Sequence, residues 1–84
     1  MNGDKSVLKV PVVLRGYDRV ETNALLSAAA TALASEDADL RRSTARALDT
    51  ARIRVVLRGF DRVVVDGELR RLSARLTGGA APQG

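Results

Sequence analysis

The chain contains no cysteine, histidine or tryptophan, and only one Tyr, one Phe and one Met among its 84 residues. Without cysteine there is no disulfide framework, no thiolate chemistry and no zinc ribbon. Without histidine, Ser and Thr have no evident base to activate them, and neither a His-Glu-x-x-His pairing nor a Gly-rich phosphate loop occurs. Carboxylates such as Asp37 and Asp39 stand at an expected helix start, where capping accounts for them. The expectation is therefore a non-enzyme with no metal and no cofactor. No stretch approaches the ~18 apolar residues of a membrane span. The opening Met-Asn-Gly-Asp-Lys-Ser lacks the apolar run of a signal peptide. These absences point to the cytoplasm, with contact at the inner membrane face as a peripheral alternative.

What is present is a repeat. Val12-Val13-Leu14-Arg15-Gly16-Tyr17-Asp18 returns as Val55-Val56-Leu57-Arg58-Gly59-Phe60-Asp61. Arg19-Val20 matches Arg62-Val63, and Leu26/Leu69 and Leu33/Leu76 keep the same offset of 43. The only two aromatic rings occupy equivalent positions. One small unit is used twice, and that outranks any single-residue clue.

Each unit reads as a short strand, a tight corner and an amphipathic helix. Val10–Leu14 and Ile53–Leu57 are the expected strands. Gly16 and Gly59 are expected to supply backbone conformations denied to other residues. Asp18 fits an N-cap, with Glu21 at capping-box spacing, and Asp61 caps the last helix. Leu26, Ala29 and Leu33 share a face of the first helix; Val65, Leu69, Leu72 and Leu76 form a core-facing seam in the last. Between them a second helix begins at Ser35-Glu36-Asp37 and is expected to turn Leu40, Thr44, Ala47, Leu48 and Ala51 inward and Arg41, Arg42 and Arg46 outward. The fold class is α+β in the order β-α-α-β-α, two antiparallel strands and three helices about an internal pseudo-twofold. It forms a single domain, 1–84: repeat one at 9–35, connector helix at 36–51, repeat two at 52–78 and a disordered tail at 79–84. Residues 1–8 read as a loose lead-in.

Strict alternation places Val10, Val12, Leu14, Ile53, Val55 and Leu57 on one sheet face, and Pro11, Val13, Arg15, Arg54, Val56 and Arg58 on the other. Val13 and Val56 are then apolar on a face that should be polar, which points to something covering it. A chain this short, with a core of Val, Leu and Ala, favours a homo-oligomer, a dimer first.

The string Leu-Arg-Gly-Tyr-Asp-Arg, preceded by valines and followed by a helix, resembles the N-terminal module of the DivIVA family of bacterial cell-division and polar-growth proteins. The motif occurs at residues 10–26 and again at 53–69, under half the chain. The resemblance implies a scaffold module that contacts membrane through the corner and self-associates through the helix. Leu14 and Leu57 would be the apolar tips and Arg15 and Arg58 the lipid-facing bases. The family's usual tip is Phe, and its long polymerising coiled coil has no counterpart here.

The candidate interaction surface is thus Val13, Leu14, Arg15, Val56, Leu57 and Arg58, set on structural corners made of Gly16, Tyr17, Asp18, Gly59, Phe60 and Asp61. Arg15 and Arg58 can also be read as braces to Asp18 or Asp61, and Tyr17 and Phe60 as core residues. The expected partners are a second copy and another protein, with weak anionic-membrane contact as an alternative. The net charge of +4 admits nucleic acid, but the arginines at 41, 42, 46, 52, 54, 70, 71 and 75 are interleaved with acids, which disfavours it.

Overall fold

The computed structural model describes residues 10–78, so the lead-in and the tail at 79–84 lie outside the described residues. The elements follow the expected order: β1 (Val12–Tyr17), α1 (Arg19–Leu33), α2 (Ala38–Thr50), β2 (Val55–Phe60) and α3 (Arg62–Leu76). The fold is α+β.

One residue separates each strand from its helix. The Asp18 carboxylate accepts from the Glu21 amide at 2.9 Å, and the Asp61 carboxylate accepts from Val63 and Val64 at 2.9 and 3.4 Å. Each satisfies amides that a helix start leaves without partners. The capping box is only half made. Glu21 does not reach back to Asp18, whose amide instead donates to the Arg54 carbonyl at 2.8 Å. Glu21 accepts from the Arg54 amide at 3.0 Å, tying the start of β2 to α1.

The strands run two to three residues later than the alternation suggests, because Arg, Gly and the aromatic residue belong to them. Val12 pairs with Phe60, Val13 with Gly59, Arg15 with Leu57, Gly16 with Val56 and Tyr17 with Val55, an antiparallel order. One further pairing, Tyr17 with Phe60, joins repeat-equivalent residues in the parallel sense. Tyr17 therefore meets both ends of β2, which straight strands would hold roughly 16 Å apart. Both strands must curl, and they cross near their glycines. The curl breaks strict alternation. Val10 and Ile53 pack on the core and Pro11, Arg15, Arg54 and Arg58 are exposed as expected, but Val13 and Val56 are half-buried while Val12, Leu14, Val55 and Leu57 are exposed. Val13 and Val56 are thus partly covered by the chain itself.

The core is carried by α3, whose Val65, Leu69, Leu72 and Leu76 are all buried as their spacing predicts. Each such side chain stabilises by roughly 1.5–3 kcal/mol on burial. Ala29 and Ala32 of α1 and Ala45 and Leu48 of α2 complete it, with Val10, Tyr17, Leu26, Leu33, Ile53 and Phe60 packed around them. Helix α2 departs from expectation. Its N-cap is Asp37, Leu40 and Ala47 are exposed, and the inward stripe is Arg41, Thr44, Ala45 and Leu48. Arg41 turns inward because it has acceptors there. Its guanidinium donates to Leu33 O and Ser35 O at the end of α1 and to Leu76 O and Arg75 O at the end of α3, at 3.2–3.3 Å. The carbonyls at a helix end lack intrahelical partners, and one cation serves two ends.

Candidate functional site

The crossing of β1 and β2 builds one end of the molecule. A Cβ on Gly16 would lie 2.2 Å from the Phe60 carbonyl oxygen, and one on Gly59 would lie 2.4 Å from the carbonyl atoms of Gly16 and Tyr17. The strands thus touch backbone to backbone. Neither glycine has a positive φ; among the described residues only Arg58 (62°) and Gly78 (75°) do. The conformational role expected of Gly16 and Gly59 is corrected: they are glycines because no side chain fits the crossing. The left-handed residue is Arg58, next to the tip, where a side chain costs about 1–2 kcal/mol.

The crossing pushes the residues between the valines and the glycines outward. Leu14 and Leu57 are each 74% exposed. At the first turn of the following helices, Val20 and Val63 are 77% and 80% exposed. Val12 and Val55 complete a set of exposed apolar residues in repeat-related pairs. Single exposed apolar side chains are ordinary; the pairing gives this set its interest.

Arg15, Arg19, Arg58 and Arg62 flank these residues and are exposed, and none makes an ion pair among the described residues. The brace from Arg15 or Arg58 to Asp18 or Asp61 is not formed. Both aspartates spend their carboxylates on helix amides, and Glu21 is committed to Arg54, by its amide and by an ion pair at 3.6 Å. The acids of the corners are engaged and four arginines are not, so the end is cationic as well as apolar.

Tyr17 and Phe60 pack against the core cluster from beneath the crossing. The Tyr17 hydroxyl donates to Asp66 Oδ1 at 2.7 Å, linking β1 to α3. That hydrogen bond, then burial and the Asp66 charge, raise the phenol above its ordinary 10.0, with nearby Arg62 opposing. Thr22 and Val65, repeat-related, are the two largest fully buried side chains, and the Thr22 hydroxyl donates to Asp18 O at 2.8 Å. The substitution keeps shape and satisfies its one polar group.

The expected surface therefore divides. Leu14, Arg15, Leu57 and Arg58 come together at the exposed end, whereas Val13 and Val56 fall back from it. Val20, Val63, Arg19 and Arg62 join the exposed end without having been expected there; their place in the duplicated segment, directly after the corner, is the signal in the sequence. At the opposite end a groove of about 730 Å³ opens between Leu33, Ala38, Arg41 and Leu76. Among the described residues no group of His, Cys, Asp or Glu is placed to hold a metal ion, and no helix is long and apolar enough to cross a membrane. Of the basic residues considered for nucleic acid, Arg42, Arg54 and Arg71 pair with Asp39, Glu21 and Glu68. No protein-family profile, curated protein or solved structure matches the chain.

Proposed function

We propose that this protein is a non-catalytic interaction module, a scaffold adaptor of the kind its DivIVA-like motif suggests, and that the strand-crossing end is its contact surface. The observation that carries this reading is the matched exposure of Leu14 with Leu57 and Val20 with Val63 beside arginines without partners. Selection for folding alone gives no reason to keep two leucines in water at equivalent places. Partner binding does, since apolar anchors ringed by charge are the usual composition of a contact surface. A second copy docking through this same end would bring the two sets of arginines together, so the end suits a different, anionic partner.

A second reading, peripheral contact with an anionic membrane, is supported by the same protruding leucines. About 1 kcal/mol per basic residue gives the four arginines ~4 kcal/mol, a weak attachment without avidity. A DNA-associated role has less support, with three of its candidate arginines paired to acids and Arg41 turned to helix carbonyls.

The test compares the wild type with a Leu14→Asp, Leu57→Asp variant, each immobilised and exposed to a soluble lysate and, separately, to phosphatidylglycerol vesicles. Both leucines are exposed, so far-UV circular dichroism should be unchanged. Specific capture from the lysate should fall at least tenfold in the variant. Undiminished capture would reject the surface, whereas loss confined to the vesicles would favour the membrane reading. Retention on DNA at low salt that fades as salt rises would revive the third.

A further inference from the structure

The two repeats have drifted apart in the interior. Thr22 corresponds to Val65, Ala29 to Leu72 and Tyr17 to Phe60, so α1 and α3 fill the core with different side chains. The outer flanks of these helices have drifted too, with Asn23 for Asp66, Ser27 for Arg70 and Ala28 for Arg71. Identity survives where the fold requires it, in the crossing glycines and the N-cap aspartates. It also survives where the fold asks for nothing. Leu14, Arg15, Arg19 and Val20 are exposed, and they recur unchanged as Leu57, Arg58, Arg62 and Val63, which are exposed as well. At Arg58 the backbone is left-handed (φ 62°), a conformation that Gly or Asn takes at less cost, and yet the residue is Arg, as at 15.

The strand register repeats itself in the same way. Val13 opposite Gly59 is matched by Val56 opposite Gly16, and Val12 opposite Phe60 by Val55 opposite Tyr17, as a local two-fold through the crossing requires. The exposed end is therefore two equal half-sites, each a leucine and a valine with two arginines. They abut, because Arg15 pairs with Leu57 across the strands, and paired strands lie about 5 Å apart. Packed helices need roughly 8–10 Å between their axes, so two independent ligands centred on the two leucines would collide. A single segment has a direction and meets only one half-site in its favoured sense. A partner that meets both alike is itself two-fold. Resting on the reading of this end as the contact surface, we propose that its occupant is a homodimer of a different, acidic protein. Each subunit of that dimer presents one segment with carboxylates and an apolar side chain, and its axis runs through the crossing. One copy of this chain takes one dimer. The carboxylates answer the four arginines, and the two leucines seat near the axis, where both subunits cover them. Once one segment is held, capture of the second is intramolecular, which joins two weak contacts into a stable one.

The probe is a short synthetic peptide of leucine and glutamate at helical spacing, ending in a single cysteine. Reduced, it is a monomer; oxidised, it is a disulfide-linked pair. The protein has no cysteine, so oxidation joins only the peptide. Binding to the full chain is read by fluorescence anisotropy for the wild type, Leu14→Asp, Leu57→Asp and the double variant. The linked pair should bind the wild type at least about tenfold more tightly than the monomer does. Each single variant should lose that gain to the same extent, and the double variant should bind neither form. A smaller gain, or single variants whose losses differ by about tenfold, would overturn the two-fold partner while leaving the contact surface standing. Unchanged binding in the double variant would overturn both. Failure of the wild type to bind either form overturns the acidic occupant, and retention on phosphatidylglycerol vesicles in its place assigns the end to lipid. Should a leucine variant lose its helical circular dichroism, Arg19→Glu and Arg62→Glu take over, since an acid is favourable in a first helical turn.

Discussion

Gly16 and Gly59 are the positions where a single methyl group does most damage. Alanine at either would place a Cβ within 2.4 Å of main-chain atoms that cannot step aside without parting the strands. Either substitution should cost at least ~3 kcal/mol in urea unfolding, at the upper end of overpacking. Gly67 is the internal control: it lies within α3, and nothing lies within 4 Å of its would-be Cβ. Gly67→Ala should stabilise by about 1 kcal/mol, the helix-propensity gain. Tyr17 sets a pH dependence of its own. Its folded-state pKa is raised above 10.0, so the fold favours the neutral phenol. The contribution is complete below the unfolded pKa and is lost as pH climbs through the raised folded value. Stability measured from pH 8 to 11 should decline at the alkaline end in the wild type, and Tyr17→Phe should flatten that decline.

At the scale of elements, the three helices end or begin around Arg41. Removing its side chain takes a shared donor away from the carbonyls closing α1 and α3 and loosens the hold of α2 on both. Arg41→Ala should lower stability by about 2 kcal/mol, in the range for charge-assisted hydrogen bonds that are partly exposed. Neighbouring Arg42, whose ion pair with Asp39 is well exposed, should cost less than about 0.5 kcal/mol when replaced by Ala. Equal losses at the two positions in thermal unfolding would remove Arg41 from this role. Only one of these arginines has its partners written near it. Asp39 lies three residues from Arg42, whereas Leu76 and Arg75 are brought to Arg41 by the packing of α3.

The whole molecule rests on few large side chains. With two aromatics and a core of Leu, Val and Ala, it has little stability to spare, since domains of this size bury a small share of their surface. Leu72 is buried on the seam of α3, and Leu72→Ala should cost about 2–5 kcal/mol. That is enough, against a small domain's usual reserve, to leave an appreciable unfolded fraction at 37 °C. Chemical denaturation of the variant with a midpoint close to the wild type's would mean that the core is supported from elsewhere.

Local chemistry made much of this legible in advance. The 43-residue offset revealed the duplication; aspartate before each apolar helix located both N-caps; the spacing of Val65, Leu69, Leu72 and Leu76 identified the buried seam. These depend on contacts within a turn or two of chain, which residue spacing encodes directly. The strand faces, the reason for the glycines, the inward turn of Arg41 and the partner of Glu21 do not. Period-two alternation assumes a straight strand, and β1 and β2 curl because each must pass the other at a glycine. A glycine in sequence does not distinguish a backbone that needs positive φ from one that needs room, and only the opposing strand decides between them. Whether Arg15 braces an aspartate or stands free depends on which amides claim that aspartate first, a competition settled when the helix start and the opposite strand come together.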